Sequence, residues 1–462
     1  MNQTQHKVIV SKFGGSSMKD AQAIRRSANI AKEKNSSVVV VSATYGTTNQ
    51  LIELAQTARL KEWSESEKVI TDLKEKHRSI AKELGADSDT FDHIESLLSE
   101  LETLAKGINY LKDAPKKAMD RLQSLGERLS SPLMTVALRE IVKEKPVSNF
   151  DVRQVMRTND DFGKGIPQIE EIRALCGKHM LAAKIGDGVF VTQGFVGATK
   201  EGETTTLGRG GSDYSAALLA EGIGADLLEI WTDVAGIATT DPRLCSGALP
   251  IGEITFQEAA ELAIFGAKIL HPTTLAPVQR VSIPVFVGSS YEPDAPGTWI
   301  KAQSEHQPLV RAMALRKDQA LLTLTTPKML NSFGFLSRLF GLFEKHKVSI
   351  DAITTSEISV AVTVEEETLS NQELFKDLET ICTVQMEKGL SLVSLIGNNI
   401  NHTAGLAQRI FTSISNQENE PPINVRMICL GASRHNFCLV VKSEEAGGAI
   451  KRLHKTFIEE AQ

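Results

Sequence analysis

The chain reads as an α/β protein: a mostly parallel sheet sandwiched by helices, followed by two small α+β units. Three observations carry that reading. Apolar strands alternate with helical stretches over the first 300 residues, the pattern of a parallel sheet with crossover helices. Five glycine clusters, KFGGSS, SATYGTTN, QGFVGAT, TLGRGGSDYSAALLAEG and WTDVAGI, fall at predicted strand ends. The last third then repeats itself. GFLSRLFGLFEKHKVSIDAITTSEISVAVTV from Gly334 resembles GLAQRIFTSISNQENEPPINVRMICLGASRHNFCLVV from Gly405.

In chain order, strands are predicted at Lys7–Phe13, Ser37–Ala43, Val147–Val152, Val189–Phe195, Leu227–Thr232 and Pro284–Gly288. Between the second and third lies a charged region, about 60–125, where Phe91, Ile94, Leu97, Leu98, Leu101 and Leu104 recur at helical steps. That spacing predicts a helical insertion packed onto the domain rather than a partner coil. SSYEPDAPGTWIKAQSEHQP mixes turn and polar residues and marks the domain boundary, giving regions 1–300 and 301–462. In the second region Gly334 pairs with Gly405, Phe340 with Phe411 and Ile350 with Val425. The offset therefore grows from 71 to 75 through a short insertion near Glu418–Pro422. Each copy reads as glycine turn, amphipathic helix, strand, turn, strand. The units span about 319–388 and 389–462, the second with an early strand near 309–316. Two matched units make a ligand-sensing or dimerising pair; a solenoid needs more repeats.

Composition narrows the function. At 462 residues, 41% hydrophobic and 23% charged, the chain has the make-up of an ordinary globular protein with two or three cores. Its net charge of −6, without a basic arm, argues against nucleic acid as a partner. The five cysteines, Cys176, Cys245, Cys382, Cys429 and Cys438, are odd in number and form no CxxC pair. They read as reduced cytoplasmic thiols, with no disulfide framework or zinc site. The N-terminus enters a strand at once, and no apolar run is long enough for a bilayer, so neither a leader nor a membrane is expected.

The glycine clusters suggest anion binding, since ligands of open α/β sheets sit beyond the carboxyl ends of the strands. Each alone is a plain turn; five on one sheet are not. In VSKFGGSSMKD, strand, glycine turn and helix start follow one another, with Lys12 placed before the glycines. In GRGGSD, Ser212 is expected to cap the next helix, and Arg209, expected to lie buried, to grip a carboxylate bidentately. There is no GxxxxGK[ST], HExxH or GxSxG, and the DFG at Asp161–Gly163 lacks its kinase companions. An early lysine, glycine N–H groups, an arginine and carboxylates suit phosphoryl transfer.

At this point the motifs SKFGGSS, RTNDDFG, VTQGFVGAT, TTTLGRGGSDYSAALLAEG, WTDVAGIATTDPR, FGAKILHP and IPVFVGSS, in this order, resemble those of aspartokinase of the monofunctional, lysine-sensitive type. The resemblance runs from about Lys7 to Phe457. It implies an amino-acid-kinase fold followed by two ACT domains, which are ferredoxin-like, and Mg²⁺·ATP-dependent phosphorylation of the aspartate side chain. By resemblance Lys12 contacts the transferring phosphoryl group, Gly14, Gly15 and Ser16 form the phosphate turn, and Asp213 orients the lysine. Arg209 matches the clamp on the aspartate carboxylate, with Ser212 and Thr48 supplying hydroxyls. Glu127 matches the acid facing the ammonium, and Phe195 a substrate-site residue. Without the resemblance Glu127 is an ordinary helix-face charge. Thr232, Asp233, Ala238, Arg243 and Lys268 match nucleotide-side positions. At Ala238 relatives usually carry tyrosine, which implies a changed adenine contact.

For the effector L-lysine, the resemblance implies Met329, Ser332, Phe335, Leu336, Asp351, Ser356 and Glu357 in the first ACT unit. Phe333 stands where a relative can carry a basic residue. A homodimer through the ACT units is expected, with a tetramer as the alternative. No protein metal site is expected, because magnesium is carried by the phosphates. A kinase of glutamate or N-acetylglutamate, which lacks this tandem tail, and a sensor with a decayed kinase domain are the competing readings. At this length no fused homoserine dehydrogenase is expected.

Overall fold

The computed structural model describes residues 7–181, 188–265, 270, 272–330, 333–415 and 421–460. The chain forms two compact units. The first comprises Met1–Ile237, Pro250–Phe256 and Ile269–Ser304, the second Ala238–Leu249, Gln257–Lys268 and Glu305–Gln462.

The first unit opens with β1 (Ile9–Phe13), α1 (Ala21–Glu33) and β2 (Val38–Val41). Four helices follow, α2 (Thr47–Leu60), α3 (Trp63–Glu83), α4 (Ser88–Leu111) and α5 (Lys116–Ile141). Next come β3 (Val147–Phe150), α6 (Ile169–Cys176), β4 (Val189–Gln193) and the hairpin of β5 (Val196–Ala198) and β6 (Thr204–Thr206). Helix α7 (Gly211–Ile223) leads to β7 (Leu227–Thr232) and β8 (Glu253–Thr255). After α8 (Phe256–Ile264), mostly in the second unit, α9 (Pro272–Arg280), β9 (Val285–Ser289) and β10 (Thr298–Lys301) complete it.

Eight strands form one sheet in the order β3-β4-β2-β1-β7-β9-β10-β8. Strands β3 to β9 in that order run parallel, and β10 turns against β9. The Val38–Val41 run is buried throughout, as a strand covered on both faces must be. Register sets Phe13 beside Val41 and Trp231, and Val41 beside Gln193. The strands carrying glycine clusters therefore end at one level. The predicted strands end as observed at Phe13 and Thr232, but those to Ala43 and Phe195 overran by two residues. Gly194–Phe195, for instance, lies in a turn, since Phe195 at φ 64° cannot continue a strand.

The helical insertion packs as its periodicity demands. Ile94, Leu97, Leu98 and Leu101 are buried, with Phe91 and Leu104 partly covered, all in one core with α2, α3 and α5. Among the described residues no helix is long and apolar enough to cross a membrane.

The second unit contains β11 (Ala312–Thr325), α10 (Phe335–Lys345), β12 (Ala352–Thr355), β13 (Ser359–Glu365) and α11 (Gln372–Glu379). Then follow β14 (Thr383–Ile396), α12 (Leu406–Ser415), β15 (Met427–Cys429), β16 (Asn436–Lys442) and α13 (Ser443–His454). Six strands form one antiparallel sheet, β12-β13-β11-β14-β16-β15. The repeat is visible in it: Gly334 and Gly405 both adopt left-handed φ, 72° and 77°, ahead of α10 and α12. The early strand expected near 309–316 is the first part of the long β11, which is irregular between Arg316 and Gln319.

Two segments upstream of the sequence-marked boundary belong to the second unit. Cys245 and Leu249 pack with Ile450 and Leu453, and Glu258 accepts from Arg311 (3.2 Å) and Asn398 (2.8 Å). Nothing in their composition announces this.

Candidate active site

The site of the first unit lies on the rim where β1, β2, β4 and β7 end. After β1 the chain makes a short 3-10 turn, Gly15–Met18, before Asp20 caps α1 through Ala23 N–H at 2.8 Å. The glycine turn thus does not open an α-helix directly, as its sequence suggested. The Gly14 N–H is already given to Trp231 O (3.1 Å), so Gly14 contributes space. A Cβ there would stand 3.6 Å from Lys12 Nζ. The N–H groups at the start of the 3-10 turn have no acceptor within it and remain as donors.

Lys12, at the end of β1, is 7% exposed, and its Nζ pairs with Asp213 Oδ1 at 2.5 Å. Asp213 stands in the first turn of α7. Gly210, at φ 69°, is the N-cap of α7, and no side chain caps it. The Ser212 hydroxyl, expected in that role, lies inside the helix and stays available. The approach is close: a Cβ on Gly194 would sit 2.7 Å from Ser212 Cβ, and one on Gly211 would sit 2.6 Å from the Phe195 ring. Glycine at both places lets the Phe195 turn lie against the head of α7. Arg209, expected to be buried, is exposed, because it projects from a turn flanked by left-handed Gly208 and Gly210. Among the described residues it has no ion-pair partner.

Glu127 lies on α5 and is 3% exposed. Burial pushes its carboxyl up to about 8, against the pull of the Ala43 N–H and the Lys12 charge. Its Oε2 is buried without a partner. Thr48 is half-buried in the first turn of α2, beside the same turn. At the end of β7, Thr232 donates its hydroxyl to Asp233 Oδ1 (3.1 Å), with Asp233 exposed.

Sequence reasoning passed over Asp120. It is buried on α5 and accepts from Gly163 N (2.9 Å), Thr206 N (2.9 Å) and Thr206 Oγ1 (2.8 Å). Burial raises its pKa, and these bonds oppose the rise. It ties the RTNDDFG segment to the strand that feeds the Arg209 turn. Three hydrogen bonds from two residues to one helical aspartate leave no trace in a single sequence.

Ala238 and Arg243 fall in the second unit. Ala238 is half-buried, and Arg243 is held by Asp241, Nη2 to Oδ2 at 2.7 Å. Lys268 and Ser332 lie outside the described residues. Among the effector positions, Asp351 pairs through Oδ1 with Arg316 Nη1 at 2.9 Å, and its Oδ2 is buried without a partner. Burial raises the Asp351 pKa, with Arg316 opposing and Glu365 adding to it. Phe335 is 4% exposed and belongs to the core, so its ring is not a free contact; its position at the head of α10 is. Met329 is half-buried against the same core, Leu336 is exposed, and so are Glu357 and Ser356, whose Oγ bonds Ser359 Oγ at 2.7 Å.

One cluster of ligand-type atoms occurs among the described residues away from these positions. Cys245, His454 and Glu459 gather within 4.8 Å of one another. Hydrogen bonds already occupy both ring nitrogens of His454, to Thr239 Oγ1 (2.8 Å) and Glu459 Oε1 (2.7 Å), so no ion is needed to complete it.

Known proteins match the chain over nearly its whole length. The amino acid kinase family matches residues 7–289, and an ACT domain matches 393–457. Lysine-sensitive aspartokinase 3 of Escherichia coli K12 is 44% identical over 460 residues, covering 98% of this chain and 99% of the relative. Aspartokinase 1 of Arabidopsis thaliana chloroplasts is 35% identical, covering 97% and 80%. The crystal structure of E. coli aspartokinase III with aspartate and ADP, in the R-state, superposes with a TM-score of 0.86 at 43% identity, covering 97% and 99%. That enzyme with lysine and aspartate, in the T-state, gives 0.81 at 44% identity, covering 98% and 99%.

Proposed function

The chain belongs to the aspartokinase family, and on that premise we infer how its site works. The enzyme is an aspartate kinase: it transfers the γ-phosphoryl group of ATP to the side-chain carboxylate of L-aspartate, giving 4-phospho-L-aspartate, with feedback by L-lysine. The observation that carries the chemistry is the buried Lys12–Asp213 pair on the strand-end rim.

Transfer proceeds by in-line attack of the β-carboxylate on the γ-phosphorus, with ADP leaving. The nucleophile has an ordinary pKa near 3.9 and is already ionised at neutral pH, so no strong base is required. Lys12, held in place by Asp213, neutralises the equatorial oxygens together with the N–H groups of Gly15 and Ser16; Gly14 keeps the space open. Arg209 clamps the α-carboxylate as a two-pronged donor, and Ser212 and Thr48 add hydroxyls. Phe195 walls the substrate site. Glu127 takes the ammonium through its free Oε2. At pH 7 the empty site holds Glu127 mostly protonated, and aspartate binding releases that proton to solvent. Thr232 and Asp233, at the end of β7, take the nucleotide side, for which the resemblance also names Ala238, Arg243 and Lys268. The donor set suits Mg²⁺ brought by ATP: Asp213 is already neutralised by Lys12, which leaves the ion to the phosphates and water.

We assign catalysis to residues 1–300 and sensing to the ACT region 301–462, whose first unit takes lysine. Asp351 Oδ2 meets the effector's amine and the head of α10, beside Phe335 and Leu336, meets its carboxylate, with Met329, Ser356 and Glu357 around them; the resemblance also names Ser332. The assembly is a homodimer through the ACT units, with a tetramer as the alternative, and the thiols suit the cytoplasm. The test is hydroxylamine trapping of acyl phosphate from Mg·ATP and aspartate, with and without lysine. Aspartate-dependent hydroxamate suppressed by lysine is expected. Turnover indifferent to lysine overturns the effector, and folded protein without turnover overturns the kinase.

A further inference from the structure

The turn after β2, residues Ser42–Thr48, delivers Thr48 to the substrate site and the Ala43 N–H to Glu127. It is held from two sides. On the α5 side, Ser130 Oγ donates to Ser42 O (2.7 Å), and Gly126 admits the turn so closely that a Cβ would lie 2.8 Å from Ala43 Cβ. The other side is the helical insertion. Lys76 on α3 donates to Tyr45 O (2.6 Å) and to Thr47 Oγ1 (3.0 Å). Thr47 Oγ1 lies 2.6 Å from Thr44 Oγ1, which lies 3.2 Å from His77 Nε2; His77 Nδ1 lies 2.7 Å from Leu73 O.

Each link has only one direction open to it. An ammonium only donates and a carbonyl only accepts, which fixes both ends of the series. Lys76 therefore gives to Thr47, Thr47 to Thr44, Thr44 to His77 Nε2, and His77 Nδ1–H to Leu73 O. One proton per hydroxyl suffices, and none is left over. The ring of His77 has no exposed surface, and burial lowers its pKa to about 4. It stays neutral through the physiological range, and Nε2 keeps the lone pair that the series ends on.

We propose that Lys76 and His77 are positioning residues for the aspartate subsite, and that α3 acts as a splint for the turn that carries Thr48 and the Ala43 N–H. The inference rests on the assignment of Thr48 and Glu127 to aspartate. Neither Lys76 nor His77 touches substrate. A merely packed histidine would change stability when replaced and treat both substrates alike; a splint on this turn acts on aspartate first. Displacements of about 1 Å at a positioned group cost up to ~100-fold.

The test is steady-state kinetics with aspartate and ATP varied separately on wild type, Lys76→Met, Lys76→Arg and His77→Leu, with melting temperatures recorded. The expected result is a rise of about tenfold in KM for aspartate in Lys76→Met, with KM for ATP within about twofold. Lys76→Arg, which can still donate to both oxygens, should recover most of the loss, and His77→Leu should move KM for aspartate in the same direction. If wild type turns aspartate over and Lys76→Met leaves its KM for aspartate unmoved, or raises both KM values alike, the splint is wrong. If wild type shows no aspartate-dependent turnover, the assignment of the site fails and takes the splint with it.

Discussion

Two carboxylates, one in each unit, are buried with one oxygen unpartnered: Glu127 Oε2 and Asp351 Oδ2. Burial is the largest influence on both and raises both pKa values. They differ in their resident company. Among the described residues no cation lies within ion-pair distance of Glu127, and its carboxyl rises to about 8. Asp351 keeps Arg316 at 2.9 Å, and Arg316 also reaches Glu365 at 3.2 Å. The substrate site we propose thus waits for a cation, whereas the proposed sensor site already holds one and would share its acid with a newcomer. The second repeat sharpens the contrast. With the offset of 75 that pairs Ile350 with Val425, Arg426 stands where Asp351 stands, and it is paired with Glu387 at 3.0 Å. Only the first copy offers an acid to an ammonium at this position.

The largest effect should come from Glu127→Gln. Removing one partner of a buried charge pair costs about 3–5 kcal/mol, so kcat/KM for aspartate should fall by roughly 10²–10⁴-fold. The same variant should be more stable. The folded-state pKa of about 8 lies above the ordinary 4.5, so the stability that protonated Glu127 contributes is full below 4.5 and is lost as pH rises through 8. Glutamine stays neutral, and its melting temperature should exceed that of wild type by roughly 2–4 °C at pH 8, with less advantage at pH 5. Thermal denaturation at the two pH values checks it; a variant less stable than wild type at pH 8 would refute the account of Glu127.

In the second unit Asp351→Ala should raise the lysine concentration for half-inhibition by about 30-fold and change turnover without lysine less than about twofold. Inhibition curves at saturating ATP settle this, and retained sensitivity would remove Asp351 from the effector site.

Smaller than both is a pH effect that belongs to the first unit alone. On the assignment proposed for Glu127, its ionised form is the one that binds an ammonium. From a free-site pKa of about 8, KM for aspartate should fall about tenfold between pH 7 and pH 9. Asp351, with its resident arginine, should give lysine inhibition no comparable step. A flat aspartate profile would place Glu127 away from the ammonium.

How much of this was legible follows from what each feature depends on. The sheet and its rim were, because buried parallel strands are written as apolar runs and their turns as glycines. The repeat was, because Gly334 and Gly405 need a left-handed backbone that side chains resist. Glu127 was not, since α5 buries polar and apolar residues alike, Asp120, Ser124 and Glu127 among them, and periodicity cannot separate them. His77 falls on the apolar stripe of α3, four residues after Leu73, where a single sequence cannot tell a packed ring from a bonded one. Arg209 looked buried by its glycine company, yet those glycines build a turn that turns it outward. The segments Ala238–Leu249 and Gln257–Lys268 join the second unit through side chains whose partners lie tens to about two hundred residues further along.

The smallest effect tests the sharing of Asp351 directly. Arg316→Gln removes the resident cation from Asp351 and frees Glu365 from the same guanidinium. Two influences then oppose each other. Without Arg316 the Asp351 carboxyl protonates more readily, which weakens its hold on an amine at low pH. At pH 8, where the carboxylate is ionised, both acids turn toward the incoming ammonium and no internal cation competes. Lysine should then inhibit at roughly two- to fivefold lower concentration than in wild type. At lower pH the gain should shrink or reverse, because burial makes Asp351 take up a proton more readily than an ordinary aspartate. Inhibition curves at pH 8 and pH 6 separate the two influences. If lysine inhibits Arg316→Gln more weakly at pH 8, Arg316 is a support that aims Asp351 at the effector, and the sensor site has no internal competitor.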